Sequence, residues 1–232
     1  MNVEHPRRIR SFVRRPGRIT TGQRRALDVL LPRYGLAFAE RRLDLEAAFG
    51  RVAPRVLDIG FGDGEALLSA AAAYPAIDYL GIEVHEPGIG HLLVLLERAG
   101  IANVRVMDRD AIDVIGAMID AATFDAVNLF FPDPWPKKRH HKRRIVRPEF
   151  LIEVGRILKA GGLFHLATDW ADYAEQAQQL IAASGLFAVC DPTALADEPL
   201  AFRAPTKFEA RGLRLGHRVV DLCYRKSGAA DA

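Results

Sequence analysis

A carboxylate, an aromatic ring and a dense group of cations follow one another near the middle of the chain. Residues 130–144 read FFPDPWPKKRHHKRR. Asp133 stands between two prolines, which restrict its backbone and that of its neighbours. Trp135 follows, and seven Lys or Arg with two His lie within residues 137–147, the basic block. A carboxylate and an aromatic ring can hold a nucleobase while cations hold the phosphates around it, so this stretch predicts a site for a nucleic-acid base.

Acidic side chains also recur where the predicted strands end. They are Asp58, Glu83, Asp108 with Asp110, Asp133 and Asp169. In open α/β sheets, ligands bind beyond the carboxyl ends of the strands, near the switch in strand order. Packing does not readily explain acids at five successive strand ends. We therefore expect a ligand site along this edge of the sheet.

The first of these strand ends carries the glycine loop, Gly60-Phe61-Gly62-Asp63-Gly64. Its GxGxG spacing differs from the GxGxxG of dinucleotide-binding proteins, and by itself it could form only a strand-to-helix turn. Glu83 can accept both ribose hydroxyls, a role shared by nicotinamide and S-adenosyl-methionine sites. Asp58 would repel a pyrophosphate but attract the α-amino group or sulfonium of S-adenosyl-methionine. Together they favour the methyl donor, with Gly60 and Gly62 approaching it through their backbone.

The elements that must position these residues alternate from Arg55 onward. The predicted strands are residues 55–61, 78–84, 104–108, 125–131, 163–169, 187–190 and 218–225. The predicted helices among them are residues 64–74, 89–99, 111–119, 147–158 and 171–183, with Gly161-Gly162 closing the fourth. This alternation predicts a doubly wound α/β fold, a seven-stranded, mostly parallel sheet with helices on both faces, whose last strand is antiparallel.

The first fifty residues are predicted to form a basic N-terminal arm and a helical extension, and residues 51–232 the main domain. Residues 1–25 hold eight Arg against one acid, although the whole chain has a formal charge of only +3. The arm, residues 1–19, is either a solvated tail or a segment that touches RNA phosphates. Thr20 and Thr21 can cap a helix ending near Pro32, and residues 36–50 form a second amphipathic piece.

Composition excludes several classes of protein. Cys190 and Cys223 are isolated in the sequence and lack metal-ligand spacing, which favours a reduced, cytoplasmic compartment. No partners at metal-ligand spacing accompany His140 and His141, so no metal is expected. No apolar run reaches the ~18 residues of a membrane span, and the Arg-rich start lacks the apolar stretch of a secretory signal. A transit peptide stays open on composition.

Five pieces of the chain carry a family resemblance. They are DIGFGDG (58–64), LGIEVHEPGIG (80–90), FFPDPWPKKRHHKRRIV (130–146), ATDW (167–170) and TKFEARG (206–212). In this order they resemble the bacterial tRNA (guanine-N7-)-methyltransferases, which have the Rossmann-like class I S-adenosyl-methionine-dependent fold. The pieces at 130–146 and 206–212 are specific to this family, whereas many methyltransferases share the glycine loop. Asp58 stands where many members have Glu, which keeps the charge but shortens the reach.

The resemblance implies methylation of tRNA at N7 of the variable-loop guanine, position 46, giving 7-methylguanosine. It implies cofactor contacts for Asp58, Glu83, Asp110 and Asp133, with Asp133 also active in the reaction. It implies substrate contacts for Lys137, Asp169, Thr206, Lys207, Phe208 and Glu209. From charge and position we expect further RNA contacts from Lys138, Arg139, His140, His141, Lys142, Arg143 and Arg144. No membrane association and no obligate protein partner are expected.

Guanine N7 carries a free lone pair and no proton at neutral pH, so its methylation needs alignment rather than a general base. A carboxylate beside the ring favours the positive charge that develops there, and Asp133 is the candidate. Either Asp133 or Glu209 could instead accept from guanine N1–H and the 2-amino group. Trp135 either stacks on the base or packs the turn, and packing is slightly favoured.

Three other functions remain as rivals. A non-catalytic tRNA-binding module on the same fold would bind tRNA without cofactor. A nicotinamide-dependent oxidoreductase is disfavoured by the glycine spacing and by Asp58. An amino-group methyltransferase would use an Asn/Asp-Pro-Pro-aromatic turn, and Asp133-Pro134-Trp135 has one proline fewer.

Overall fold

Strands and helices alternate through most of the chain in the computed structural model, which describes residues 10–13, 17–206, 209, 214, 216 and 218–228. The strands are β1 (Arg55–Ile59), β2 (Asp78–Glu83), β3 (Val104–Asp108), β4 (Phe124–Phe130), β5 (Leu158–Thr168), β6 (Phe187–Cys190) and β7 (Val220–Lys226). The helices are α1 (Thr21–Val29), α2 (Leu31–Tyr34), α3 (Leu45–Phe49), α4 (Glu65–Ala73), α5 (Glu86–Ala99), α6 (Ala111–Met118), α7 (Pro148–Ile157) and α8 (Ala171–Ser184). Short 3₁₀ helices cover Lys138–Arg143, Pro192–Leu195 and Pro199–Ala201.

All seven of these strands belong to one sheet, in the order β3-β2-β1-β4-β5-β7-β6. Strands β1 to β5 pair in parallel, and β7 runs antiparallel to both β5 and β6. The predicted seven-stranded, mostly parallel sheet with an antiparallel last strand is confirmed. The strand order reverses between β1 and β4, so the carboxyl ends of these two strands mark the expected ligand edge.

Helices cover both faces of the sheet, as predicted, and each face has its own core. Helices α3, α6, α7 and α8 pack on one face, and α1, α2, α4 and α5 on the other. Helix α5 shows why: Ile89, Leu92, Leu93 and Leu96 recur at helical spacing and are fully buried. Burial of each such side chain stabilises the fold by about 1.5–3 kcal/mol.

The helical extension shares the core of the main domain. Thr20 caps α1 as predicted, because its hydroxyl accepts from the Gln23 amide at 3.2 Å while the Gln23 side chain accepts from the Thr20 amide at 2.8 Å. Ala26 and Leu30 are buried in the same core as α5. A Cβ on Gly90 would lie 2.9 Å from the Gln23 carbonyl oxygen, so α1 and α5 approach closely. From residue 17 onward the extension is therefore part of the folded domain.

Two predictions about local structure were wrong. Within residues 36–50, only Leu45–Phe49 is helical, because the preceding segment instead runs along the sheet edge: the Leu36 amide donates to Val106 O at 2.8 Å. Gly161 and Gly162 do not close α7, which ends at Ile157 where β5 begins. They lie in an irregular start of β5, where the pairing with β4 shifts register.

The two cysteines, isolated in the sequence, are neighbours in the sheet. Cys190 on β6 and Cys223 on β7 are direct cross-strand partners. Both are free thiols, and burial raises the pKa of Cys223 to about 12. Sequence separation alone hid this pairing because the strands that carry them are far apart along the chain.

Candidate functional site

A cavity of about 560 Å³ lies at the carboxyl ends of β1, β2, β3 and β4. Its volume suits a ligand of the size of a nucleoside derivative. Residues predicted to bind cofactor or substrate meet in its wall: Asp58, Gly60, Gly62, Glu83, Asp110, Asp133 and Thr206. The fold therefore brings together acids that stand up to 75 positions apart in the sequence, from Asp58 to Asp133.

The glycine loop follows β1 and depends on a backbone conformation that other residues rarely adopt. Gly60, Gly62 and Gly64 have φ of +74°, +63° and +79°. Helix α5 also approaches the loop closely, since a Cβ on Gly88 would lie 2.0 Å from the Gly62 carbonyl oxygen. The glycines thus let the loop pass between cavity and helix, where any side chain would collide or strain the backbone.

Glu83, at the end of β2, is fixed by three backbone amides. Its carboxylate accepts from the amides of Gly62 at 2.8 Å, Val84 at 2.6 Å and His85 at 3.0 Å. Burial raises the pKa of Glu83, although these hydrogen bonds act to lower it. The result is a carboxylate held in one orientation at the cavity wall, able to accept hydrogen bonds from a pair of hydroxyls.

Asp58 lies on β1 and is only 5% exposed. Burial, and then the negative charge of Glu83, raise the pKa of Asp58 to about 7. A positive group placed beside it would restore its ionised form, since opposite charge favours the carboxylate. The site is therefore built to receive a cation.

Asp110 continues the same edge after β3. It caps the N-terminus of α6, where its carboxylate accepts from the Ile112 amide at 3.1 Å. This bond orients the side chain at the cavity wall. Asp58, Glu83 and Asp110 thus form an acidic rim on the side of the cavity nearest the glycine loop.

A further part of the cavity wall is formed by the Asp133 turn, residues 131–135. Phe131 and Trp135 have φ of +50° and +45°, which bulky residues adopt rarely and at a cost of about 1–3 kcal/mol each. Contacts from distant parts of the chain hold the turn: the Phe131 amide donates to Ala167 O at 2.7 Å, and Trp135 Nε1 to Ser11 O at 2.9 Å. Strain at both ends of the turn presents Asp133 at the exposed mouth of the cavity.

Trp135 packs the turn, as its favoured interpretation predicts. The Arg143 guanidinium lies 4.8 Å from its ring centroid, and the ring of His140 meets it edge-on at 5.8 Å. Its indole N–H is used by Ser11. Residues 11–13 of the arm also line the cavity, which no sequence signal indicated.

The basic block forms a short 3₁₀ helix, Lys138–Arg143, beside the Asp133 turn. Four of its cations are exposed: Lys137, Lys138, Arg139 and Lys142. His140, His141 and Arg143 are half-buried. Partial desolvation and the cations Arg139 and Arg143 lower the pKa of His140, so this imidazole is mainly neutral at pH 7. The block thus presents a cationic surface at the mouth of the cavity.

Arg144 differs from the rest of the basic block, and its expected contact with RNA requires correction. Its side chain is 1% exposed. It donates to the Pro134 carbonyl at 2.9 Å, to Gln176 and to Asp172, and its guanidinium lies 4.8 Å from the Tyr173 ring centroid. These contacts tie the Asp133 turn to α8. Arg144 therefore supports the turn and is not available to a phosphate.

Of the other described residues that the resemblance implies, Thr206 is in the cavity wall, whereas Lys137, Asp169 and Glu209 are not. Asp169 is half-buried just after β5. Glu209 is held by Arg203, whose Nη1 lies 2.6 Å from Glu209 Oε2. Lys207 and Phe208 lie outside the described residues. Arg203 itself was missed, because nothing in its local sequence separates it from a surface arginine.

Within the described ranges, no group of three or more His, Cys, Asp or Glu could hold a metal ion. In the same part of the chain, no helix is both long and apolar enough to cross a membrane.

Comparisons with known proteins agree with this geometry. A family model described as "Putative methyltransferase" matches residues 52–222. The chain is 53% identical to a tRNA (guanine-N(7)-)-methyltransferase of Halorhodospira halophila, over 96% of this chain and 97% of that protein. It is 55% identical to one of Alkalilimnicola ehrlichii, over 95% of this chain and 93% of that protein.

Solved structures of similar fold are more distant in sequence. The 16S rRNA methyltransferase KamB has a TM-score of 0.55 at 15% identity, over 79% of this chain and 93% of that one. An antibiotic-related methyltransferase has a TM-score of 0.55 at 16% identity, over 83% of this chain and 96% of that one. At this identity the likeness shows the Rossmann-like methyltransferase fold alone.

Proposed function

This chain belongs to the tRNA (guanine-N7-)-methyltransferase family, and from that premise we propose that it transfers the methyl group of S-adenosyl-L-methionine to N7 of guanine 46 in the variable loop of tRNA. The observation that carries the proposal is the meeting of Asp58, Glu83 and Asp133 in one cavity, with the basic block at its mouth. A non-catalytic tRNA-binding module is not favoured, because the curated relatives are named as methyltransferases.

The residues of the cavity fit the cofactor. S-adenosyl-L-methionine supplies an electrophilic methyl group bound to a positively charged sulfur. Asp58 is buried and only partly ionised at neutral pH, and a cation beside it would restore its full charge, which suits the α-ammonium group. Glu83 is oriented to accept from the ribose hydroxyls, and the backbone of Gly60 and Gly62 lets the ligand approach closely. Asp110 completes the acidic rim.

Asp133 acts on the guanine. Because N7 has no proton to lose, the protein must align the base and stabilise the positive charge that the ring gains. A carboxylate at the mouth of the cavity provides that stabilisation, and the strained turn holds it in place before the substrate arrives. Either Asp133 or Glu209 could accept from guanine N1–H and the 2-amino group, and Glu209 would do so while its oxygens also accept from Arg203.

Side chains of the basic block bind the tRNA backbone. We assign phosphate contacts to Lys137, Lys138, Arg139, His140, His141, Lys142 and Arg143, and leave out Arg144. Asp169 and Thr206 approach the substrate from the β5 side. Displacement of counterions by these cations makes tRNA affinity fall steeply with salt. The free thiols Cys190 and Cys223 suit action in the reduced cytoplasm.

Methyl transfer from labelled cofactor to unmodified tRNA transcripts tests the proposal. One transcript carries G at position 46, and a matched transcript carries A there. We expect label only in the first, and mass mapping places it on that guanine. Equal labelling of both transcripts refutes the assigned position, and no labelling of either, with cofactor bound, refutes the activity.

A further inference from the structure

Arg203 joins two carboxylates and two aromatic rings beside the Asp133 turn. Its guanidinium donates to Asp221 on β7 at 2.7 and 3.0 Å, and to Glu209 at 2.6 and 3.1 Å. It lies 6.0 Å from the ring centroid of Phe130 and 5.8 Å from that of Phe131. The side chain is 12% exposed. Only the planar fork of an arginine can pair with two carboxylates in this way.

Asp221 anchors Arg203 to the sheet. His165, buried on β5, lies with Nε2 2.9 Å from Asp221 Oδ1, and its ring meets Phe130 edge-on at 4.9 Å. Burial acts to raise the pKa of Asp221, but hydrogen bonds from His165 and Arg203 outweigh it and lower the pKa. The anchor is therefore an ionised carboxylate fixed from both sides, so Arg203 has little freedom to move.

Glu209 links Arg203 to Thr206 in the cavity wall. The Glu209 amide donates to Thr206 Oγ1 at 3.1 Å, and the Thr206 amide donates to Glu209 Oε2 at 3.4 Å. Thr206 in turn lines the cavity. The same Glu209 oxygen that accepts from Thr206 also accepts from Arg203, so the position of Thr206 depends on the ion pair.

We propose that Arg203 is a positioning residue that holds Thr206 and Glu209 against the Asp133 turn, so that the substrate guanine meets a preformed wall. The inference rests on the proposed function, since it takes the base to enter beside Asp133. Substrate binding then depends also on Arg203, which lies outside both the glycine loop and the basic block. It also explains why an arginine lies over the rings at the start of the turn, where it braces Phe130 and Phe131.

Steady-state methylation by Arg203→Gln and Arg203→Lys separates positioning from a merely structural role. We expect Arg203→Gln to raise KM for tRNA about tenfold or more, with a smaller change in kcat and an unchanged Kd for S-adenosyl-homocysteine. Arg203→Lys should recover part of the loss. The matched control is Arg225→Gln, because Arg225 lies on β7 and pairs with Glu198 away from the cavity. An equal rise in KM in the control, or none in Arg203→Gln, overturns the proposal.

Glu209 provides a second check. The double variant Arg203→Gln/Glu209→Gln should lose no more affinity for tRNA than Glu209→Gln alone, because Arg203 acts through Glu209. Independent, additive losses would place the effect of Arg203 elsewhere.

Amide hydrogen exchange tests the positioning role of Arg203 without a methylation assay. The Thr206 and Glu209 amides should exchange at least tenfold faster in Arg203→Gln and at the wild-type rate in Arg225→Gln. Unchanged exchange in Arg203→Gln overturns the positioning role even if the enzyme methylates tRNA. Wild-type protein that fails to methylate tRNA overturns the proposed function instead, so the two failures are distinct.

Discussion

The two sides of the cavity are built in different ways. On the acidic rim, the glycine loop and Glu83 are held by backbone amides within a short stretch of the chain. At the Asp133 turn, Ser11 and Ala167 come from distant segments, and Arg144, ten positions after Pro134, joins the turn to α8. The proposed cofactor side is thus held by groups at neighbouring strand ends, whereas the proposed substrate side also needs contacts from segments far apart along the chain.

The difference matters because the substrate side carries the strain. Two aromatic residues in the left-handed region cost a few kcal/mol, and only tertiary contacts keep them there. Loss of a supporting residue should therefore affect the turn even where it touches no ligand. On the cofactor side, the sensitive residues are those that touch the ligand.

The largest effect should come from the turn itself. Asp133→Ala should reduce kcat/KM about 10²- to 10³-fold, because the carboxylate that stabilises the developing positive charge is lost. The thermal midpoint should change little, since Asp133 is exposed. Single-turnover methylation of tRNA measures the loss. Wild-type turnover by this variant would remove Asp133 from the reaction.

On the cofactor side, Glu83→Gln should weaken binding of S-adenosyl-homocysteine about tenfold to a hundredfold. Hydrogen bonds to a charged group are worth about 1.5–3 kcal/mol, and the amide keeps the shape while losing the charge. Calorimetry measures Kd. The matched control is Glu86→Gln, because Glu86 is exposed in the first turn of α5. Equal affinity in both variants would contradict the role of Glu83.

Within the basic block, Arg144→Ala and Arg139→Ala should separate support of the turn from RNA contact. Arg144→Ala should lower the free energy of unfolding by about 1–3 kcal/mol, because it removes a buried, fully hydrogen-bonded guanidinium. Arg139→Ala should change stability by less than about 0.5 kcal/mol. Denaturant unfolding measures both values.

The salt dependence of tRNA affinity supplies the reverse comparison. Arg139→Ala should flatten the slope of log affinity against log salt by about one unit, the effect of one lost phosphate contact. Arg144→Ala should leave the slope unchanged wherever the protein remains folded. If only Arg144→Ala flattened the slope, Arg144 would contact RNA and Arg139 would not.

The pH dependence of cofactor affinity tests the other side of the comparison. With a pKa of about 7, Asp58 in the free protein is mostly protonated below neutral pH, so a ligand ammonium must displace that proton. Affinity for S-adenosyl-homocysteine should fall as pH decreases below 7, approaching tenfold per pH unit. Asp58→Asn should lose this dependence. Calorimetry from pH 6 to 8 checks it, and equal wild-type affinity over that range would contradict it.

The same carboxyl should affect the stability of the cofactor-free protein with the opposite sign. Its folded pKa is raised above its unfolded value, so its contribution to stability is complete at acidic pH and is lost as pH rises through about 7. Asp58→Asn should therefore be more stable than wild type at pH 8. Higher stability together with weaker cofactor binding in Asp58→Asn would show that Asp58 serves cofactor binding at the expense of stability.

Much of the fold could be predicted because its determinants are local. Alternation of apolar strands with helical periods defined the seven strands, and Thr20 with Thr21 marked the start of α1. The segment at residues 36–44 was misjudged because its backbone bonds at one end to β3, through Leu36, and at the other to Met118, through Leu43, which the local pattern does not reveal. Among the site residues, Asp58, Glu83 and Asp133 were recognisable since strand ends meet at one edge.

Arg144 and Arg203 show what could not be predicted. In the sequence, Arg144 is one cation among seven, yet α8 encloses it with Asp172 and Gln176. Arg203 gains its meaning only from Asp221 and Glu209. Residue types, spacing and strand ends determined the fold class, the acidic edge of the sheet and the basic block beside it, because short-range patterns encode them. Tertiary structure alone decided which arginines are exposed and which brace the turn, because burial and ion pairing arise between segments that meet only on folding.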